Sequence, residues 1–193
     1  MARDSVEGKD KVRVFLALPL AHVFFEEVRP LHEVCKKIPG VKWVKPEQLH
    51  VTLHFFGDVS REEIAQIKKI IQATIGTMEP FQLFLENVGY FPPAGRPRII
   101  WLGLGGETLR LAGLQGRLEK KFSEVGFPIE DRTFQAHATI GRIKNPGEIS
   151  SALSERLHFQ HSGTKSVDHL CLYQSLLSSE GPRYEVLEIF PLR

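Results

Sequence analysis

One strand is written twice in this chain, and that repetition limits the fold more than any other feature. His50-Val51-Thr52-Leu53-His54-Phe55-Phe56-Gly57 returns in abbreviated form as His137-Ala138-Thr139-Ile140-Gly141-Arg142. Each copy places a His, one spacer and a Thr in an apolar run. Side chains alternate across a strand, so His50 and Thr52 are expected on one face, with Val51, Leu53 and Phe55 on the other. His137 and Thr139 form the matching pair, with Ala138 and Ile140 turned away. By the same rule His54 shares the face of His50 and Thr52, as a cleft-edge or supporting side chain. The order strand, helix, strand, H-x-T strand, helix recurs loosely in the second half. Two similar α+β lobes with mainly antiparallel sheets follow, facing each other across a cleft and each contributing one H-x-T strand.

The rest of the chain supports an ordinary globular protein. Its 193 residues can bury a real core, and no linker or low-complexity stretch divides them. A net charge of +2 is too small for bulk adsorption to nucleic acid, although a local basic cleft is compatible with it. Residues 1–11 are polar and read as a flexible tail without the apolar core of a secretory signal. No run approaches a membrane span. Cys35 and Cys171 are far apart and lack any C-x-x-C partner, so reduced thiols in a cytoplasmic protein are expected rather than a zinc site or disulfide framework.

Taken in order, Val12 to Leu18 reads as an apolar strand and Leu20 to Lys37 as a helix, with Pro30 implying a kink or break near Arg29. Val41 to Val44 is a short strand, and the first H-x-T strand spans His50 to Phe56. Ser60 and Glu63 have capping-box spacing at the head of a helix bearing Ile64, Ile67, Ile70 and Ile71, which Gly76 ends. Strands are expected from Phe81 to Tyr90 and from Arg98 to Leu104, flanking a proline-rich loop from Phe91 to Pro97. A second amphipathic helix covers Glu107 to Val125. After the second H-x-T strand come a short helix from Glu148 to Leu157 and two closing strands, Ser166 to Leu176 and Tyr184 to Phe190.

Two imidazoles across one cleft can do linked proton work, one neutral and accepting, the other protonated and donating. Thr52 and Thr139 would offer hydroxyls to an anion between them, and phosphate takes such bonds on several oxygens. No acidic cluster of metal-ligand spacing accompanies the motifs, which disfavours two-metal phosphoesterase chemistry. Without metal, a phosphodiester split by two His needs an activated nucleophile or a strained ester, such as a 2′,3′-cyclic phosphate at an RNA end. A single H-x-T strand is most simply a structural or surface His. Two copies weigh against that, yet spacing alone leaves both readings open.

The paired His-Val-Thr-Leu and His-Ala-Thr-Ile segments resemble the signature of the 2H phosphoesterases, and the resemblance covers almost the whole chain. It is closest to the RNA 2′,3′-cyclic phosphodiesterases of the LigT/ThpR type, also called 2′-5′ RNA ligases. The matching pieces run from Arg13 to Leu20, Trp43 to Val59 and Arg96 to Leu104, with Arg132-Thr133-Phe134, Leu172-Tyr173-Gln174-Ser175 and Gly181-Pro182-Arg183-Tyr184 beyond them. The resemblance implies a single bilobal domain over residues 1–193, with pseudo-twofold symmetry, a central cleft and helices on the outer faces. It further implies metal-independent hydrolysis of the cyclic phosphate to a 2′-phosphate. Carried over by position, His50 and His137 become the catalytic pair, the first protonating the leaving oxygen and the second activating water. Thr52 and Thr139 become phosphate ligands, and Arg142 a partner for phosphate or base. The family usually has Pro before the second motif His, where this chain has Ala136; that alters backbone stiffness but removes no functional group. No cofactor or metal is implied. The implied partner is an RNA with a 2′,3′-cyclic phosphate end, tRNA fragments included, or a cyclic nucleotide, met by a monomer with no membrane association. Two rival functions stand beside hydrolysis: ATP-independent 2′-5′ joining of RNA halves, and a non-catalytic nucleotide or RNA-end binding module.

Phe55 and Arg142 both lie five residues after a motif His, where strict alternation turns them from the cleft and favours core packing for Phe55. A bulge would instead let them flank a base. Lys42, Lys45, Arg96, Arg98, Arg132 and Arg142 are basic residues near the expected cleft; of these, Arg132 and Arg142 are the candidates for substrate contact. His22, His32, His158, His161 and His169 sit in no motif and are expected to be surface or structural, since nothing in their spacing asks for a metal.

Overall fold

The computed structural model describes residues 11–93, 95–130, 132–144, 157–178 and 181–193. The expected tail, apart from Lys11, and the expected helix from Glu148, apart from Leu157, lie outside the described residues. The chain forms β1 (Val12–Pro19), α1 (Ala21–Cys35), β2 (Val41–Trp43), a 3₁₀ turn (Pro46–Gln48), β3 (His50–Val59), α2 (Arg61–Ile75), β4 (Phe81–Phe91), β5 (Ile99–Gly106) and α3 (Thr108–Glu124). It then continues as β6 (His137–Ile143), β7 (Lys165–Val167), β8 (His169–Ser178) and β9 (Gly181–Pro191).

Two antiparallel sheets result, one ordered β3-β1-β8-β9 and the other β2-β6-β5-β4-β7. The α+β class with two sheets is therefore borne out. The two H-x-T strands fall in different sheets, and β3 and β6 pack against each other between them. Inner strand β1 is apolar without interruption from Val14 onward because both its faces are covered there; Val14, Leu16, Ala17 and Leu18 are fully buried.

The helices follow their apolar stripes. In α2 the capping box is present, with Ser60 N donating to Glu63 Oε2 at 2.7 Å and Glu63 N to Ser60 Oγ at 3.2 Å. Buried Ile67, Ile71 and Ile75 face inward, while α3 presents Leu111, Leu114, Leu118 and Phe122. Helix α3 packs on α2 and on β3, and α1 packs on the 3₁₀ turn and β7.

Two expectations change here. Helix α1 runs through Pro30 without a break. Pro30 is exposed, and the carbonyl its missing N–H leaves unpaired is that of exposed Glu26, where water can serve it. The single strand expected from Ser166 to Leu176 is two strands. The chain crosses from one sheet to the other at Asp168, so β7 pairs with β4 while β8 pairs with β1 and β9. No helix among the described residues is long and apolar enough to cross a membrane.

Candidate active site

A bulge in each motif strand decides which side chains reach the cleft. In β3, Thr52 pairs with Ala17 and His54 with Leu16, so Leu53 is an extra residue. In β6, Thr139 pairs with Trp101 and Gly141 with Ile100, so Ile140 is extra. Both bulges fall three residues after the motif His. Each switches the alternation beyond it, which is why position five returns to the open face. Arg142 consequently lines the cleft, and Phe55 is 39% exposed with the Arg13 guanidinium 4.8 Å from its ring centroid. Core packing, the reading strict alternation favoured for Phe55, is therefore corrected.

The same switch corrects the expectation for His54, which is not on the cleft face at all. It is buried against Phe56 and Phe122, with ring centroids 4.5 and 4.9 Å away. Its Nε2 is buried without a hydrogen-bond partner among the described residues, and burial pushes its pKa down to about 4.

Between the sheets, His50, Thr52, His137, Thr139 and Arg142 line one cleft together with Lys42, Trp43, Val44, Gln48, Pro182 and Tyr184. The two imidazoles are held alike. Nδ1 of His50 lies 2.6 Å from the Gln48 carbonyl oxygen, and Nδ1 of His137 lies 2.8 Å from that of Gln135. A carbonyl only accepts, so both rings carry their proton on Nδ1. Nε2 is then the nitrogen left for proton transfer, as acceptor when the ring is neutral and as donor when it is charged.

Aromatic walls orient the rings. Phe15 and Tyr184 stand 5.2 and 5.5 Å from His50, and Phe91 and Trp101 stand 5.0 and 6.1 Å from His137, centroid to centroid. Trp101 occupies the space above Gly89, where an added Cβ would come within 2.2 Å of the indole. Trp43 similarly fits over Gly141, whose Cβ would lie 2.9 Å from its ring. The β8–β9 hairpin closes one side, anchored by Gln48 Nε2 donating to the Pro182 carbonyl oxygen at 2.9 Å.

The cleft is electropositive. Among the described residues its lining holds Lys42 and Arg142 and no carboxylate or thiol. Burial lowers the His50 pKa; the Gln48 carbonyl opposes this, and Arg142 and His137 lower it further. The Tyr184 phenol is raised by burial, against a lowering by Arg142, and remains a proton donor at neutral pH. Arg132 is exposed and not part of the lining. Gln48, Trp43 and Tyr184 were missed as site residues, although all three lie inside segments carrying the family resemblance.

A family model described as LigT like Phosphoesterase matches residues 21–101 and 106–184. The chain belongs to this family of 2H-superfamily phosphoesterases. It is 34% identical over 181 residues to the RNA 2′,3′-cyclic phosphodiesterase of Archaeoglobus fulgidus, covering 93% of this chain and 99% of that protein. The Thermus thermophilus protein of the same description is 35% identical over 190 residues, covering 94% and 91%. Among solved structures, one from Thermus thermophilus superposes with a TM-score of 0.74 at 32% identity, over 94% of this chain and 98% of that one. Escherichia coli LigT complexed with 3′-AMP shares the fold, with a TM-score of 0.74 at 24% identity over 95% and 99% of the two chains.

Proposed function

We propose that this protein hydrolyses 2′,3′-cyclic phosphate ends of RNA to 2′-phosphates through His50 and His137, without a metal ion. The observation that carries this reading is the matched pair of imidazoles, each with Nδ1 committed to a backbone carbonyl two residues upstream. Two such groups flanking one phosphate supply an acid and a base at once. Support for metal independence comes from the donor set, since no carboxylate joins the two His in the described lining.

The cyclic phosphate sits with its free oxygens toward Thr52, Thr139 and Arg142, whose donors and charge stabilise the crowded phosphorus centre. His137 Nε2 takes a proton from water as the water oxygen bonds to phosphorus. The bond from phosphorus to the ribose 3′ oxygen breaks, and His50 Nε2 donates its proton to that oxygen. A 2′-phosphate and a free 3′-hydroxyl result, and solvent exchange returns both imidazoles to their starting states. Substrate charge offsets Arg142 and favours protonation of His50, which burial and cationic neighbours otherwise hold neutral. One observation favours the reverse assignment: the lowered pKa of His50 suits a base in the free protein. Ligation of RNA halves is the same displacement with an RNA 5′-hydroxyl in place of water: its oxygen bonds to phosphorus, the bond to the ribose 3′ oxygen breaks, and a 2′-5′ linkage results.

The test is product analysis in the presence of a chelator. A nucleoside 2′,3′-cyclic phosphate should open to the 2′-phosphate alone. A 3′-phosphate product, or activity abolished by chelator and restored by metal, would overturn the mechanism.

A further inference from the structure

Away from the cleft, three side chains that the sequence keeps far apart meet at the crossover between the two sheets. His22 comes from the first turn of α1, Asp168 is the single residue between β7 and β8, and His169 opens β8. Nδ1 of His169 lies 2.6 Å and Nε2 of His22 lies 3.6 Å from the same carboxylate oxygen, Oδ1 of Asp168. All three donor atoms fall within 4.8 Å of one another. Among the described residues it is the one group of its kind.

We propose that His22, Asp168 and His169 form a surface site for a borderline divalent transition-metal ion of the zinc type, separate from the catalytic cleft. Zinc bonds of about 2.0–2.1 Å to nitrogen and oxygen put tetrahedral donors roughly 3.3–3.4 Å apart. The 2.6 and 3.6 Å separations bracket that figure, so swinging the His169 imidazole outward by about 0.7 Å and drawing His22 in by a few tenths of an ångström seats the ion. Two imidazoles and one carboxylate suit zinc or its neighbours over magnesium or calcium, which prefer all-oxygen shells. Solvent completes the coordination, because the side chains of His22, Asp168 and His169 are 36%, 62% and 22% exposed.

The placement gives the ion a mechanical consequence. Helix α1 is already tied to β7 by Lys165, which donates to the Val23 carbonyl oxygen at 2.7 Å and pairs with Glu27. An ion bound one turn earlier adds a second tie, joining α1 to the point where the chain changes sheets. Its effect is on stability, and it takes no part in the reaction.

Calorimetric titration of the untagged, chelator-treated full chain with zinc chloride tests this, alongside cobalt(II) absorption as a probe of coordination. One equivalent is expected to bind and to raise the melting temperature. His22→Ala and His169→Ala should each weaken binding by about tenfold or more, given that even outer-shell changes cost 10–100-fold. The doubly substituted His50→Ala, His137→Ala chain should bind zinc as before. Circular dichroism and metal-free melting confirm that the variants fold. Absence of binding, affinity unchanged in both His22→Ala and His169→Ala, or zinc lost with the cleft histidines overturns the proposal.

Discussion

His54 provides a stability test of the β3 bulge. Were β3 regular, His54 would face the cleft and titrate as a solvated imidazole. In the folded protein it is 5% exposed, and its pKa falls from 6.5 to about 4. A depressed histidine pKa means that the unfolded chain binds the proton more readily. The neutral ring's contribution is therefore complete above about pH 6.5 and is lost as pH falls toward 4. At pH 5.0 the two pKa values correspond to a loss of about 2 kcal/mol from this residue alone. Urea unfolding of the wild type and of His54→Leu at pH 7.5 and pH 5.0 isolates that contribution, because His50, also lowered, is common to both chains. The substituted protein should lose about 2 kcal/mol less on acidification. At pH 7.5 it should match or exceed wild-type stability, since it no longer buries an unpaired Nε2. Equal losses on acidification in the two proteins would refute the burial of His54, and with it the switch in alternation at Leu53.

Three further substitutions probe the same geometry. Arg142→Gln should lower kcat/KM roughly 10- to 100-fold, because hydrogen bonds to charged groups are worth about 1.5–3 kcal/mol. It should also move the His50 limb of the pH–rate profile upward, since Arg142 lowers that pKa. Gly141→Ala places a Cβ 2.9 Å from Trp43 and from Val41 Cγ1; urea unfolding should show a loss of about 1–3 kcal/mol, the usual cost of overpacking. Phe55→Leu should weaken binding of an RNA end while changing stability by no more than about 0.5 kcal/mol, as its exposed ring carries little of the core. Unchanged affinity removes Phe55 from substrate contact.

The parts of this structure that the sequence made legible are those set by local periodicity. His50 with Thr52 and His137 with Thr139 do reach one cleft, because i and i+2 share a face up to the bulge. The Ser60–Glu63 capping box is likewise local chemistry. What escaped depends on partners distant in sequence. The bulges at Leu53 and Ile140 are mismatches of register with β1 and β5, invisible in either motif alone. The division at Asp168 reflects a choice between two sheets, which an apolar run does not encode. Tyr184 joins the site through the β8–β9 hairpin, so only the closed fold brings it to His50. His22 and His169, expected to be separate surface residues, stand 4.6 Å apart, ring centroid to centroid.

The pH dependence of kcat/KM for the wild type, His50→Ala and His137→Ala tests the two-histidine reading most directly. The wild type should show a bell, and each variant should lose a different limb while its rate falls by about 10²–10⁴. Loss of the high-pH limb in His50→Ala would identify it as the acid. Full activity in both variants, or an unchanged bell in either, would contradict the account.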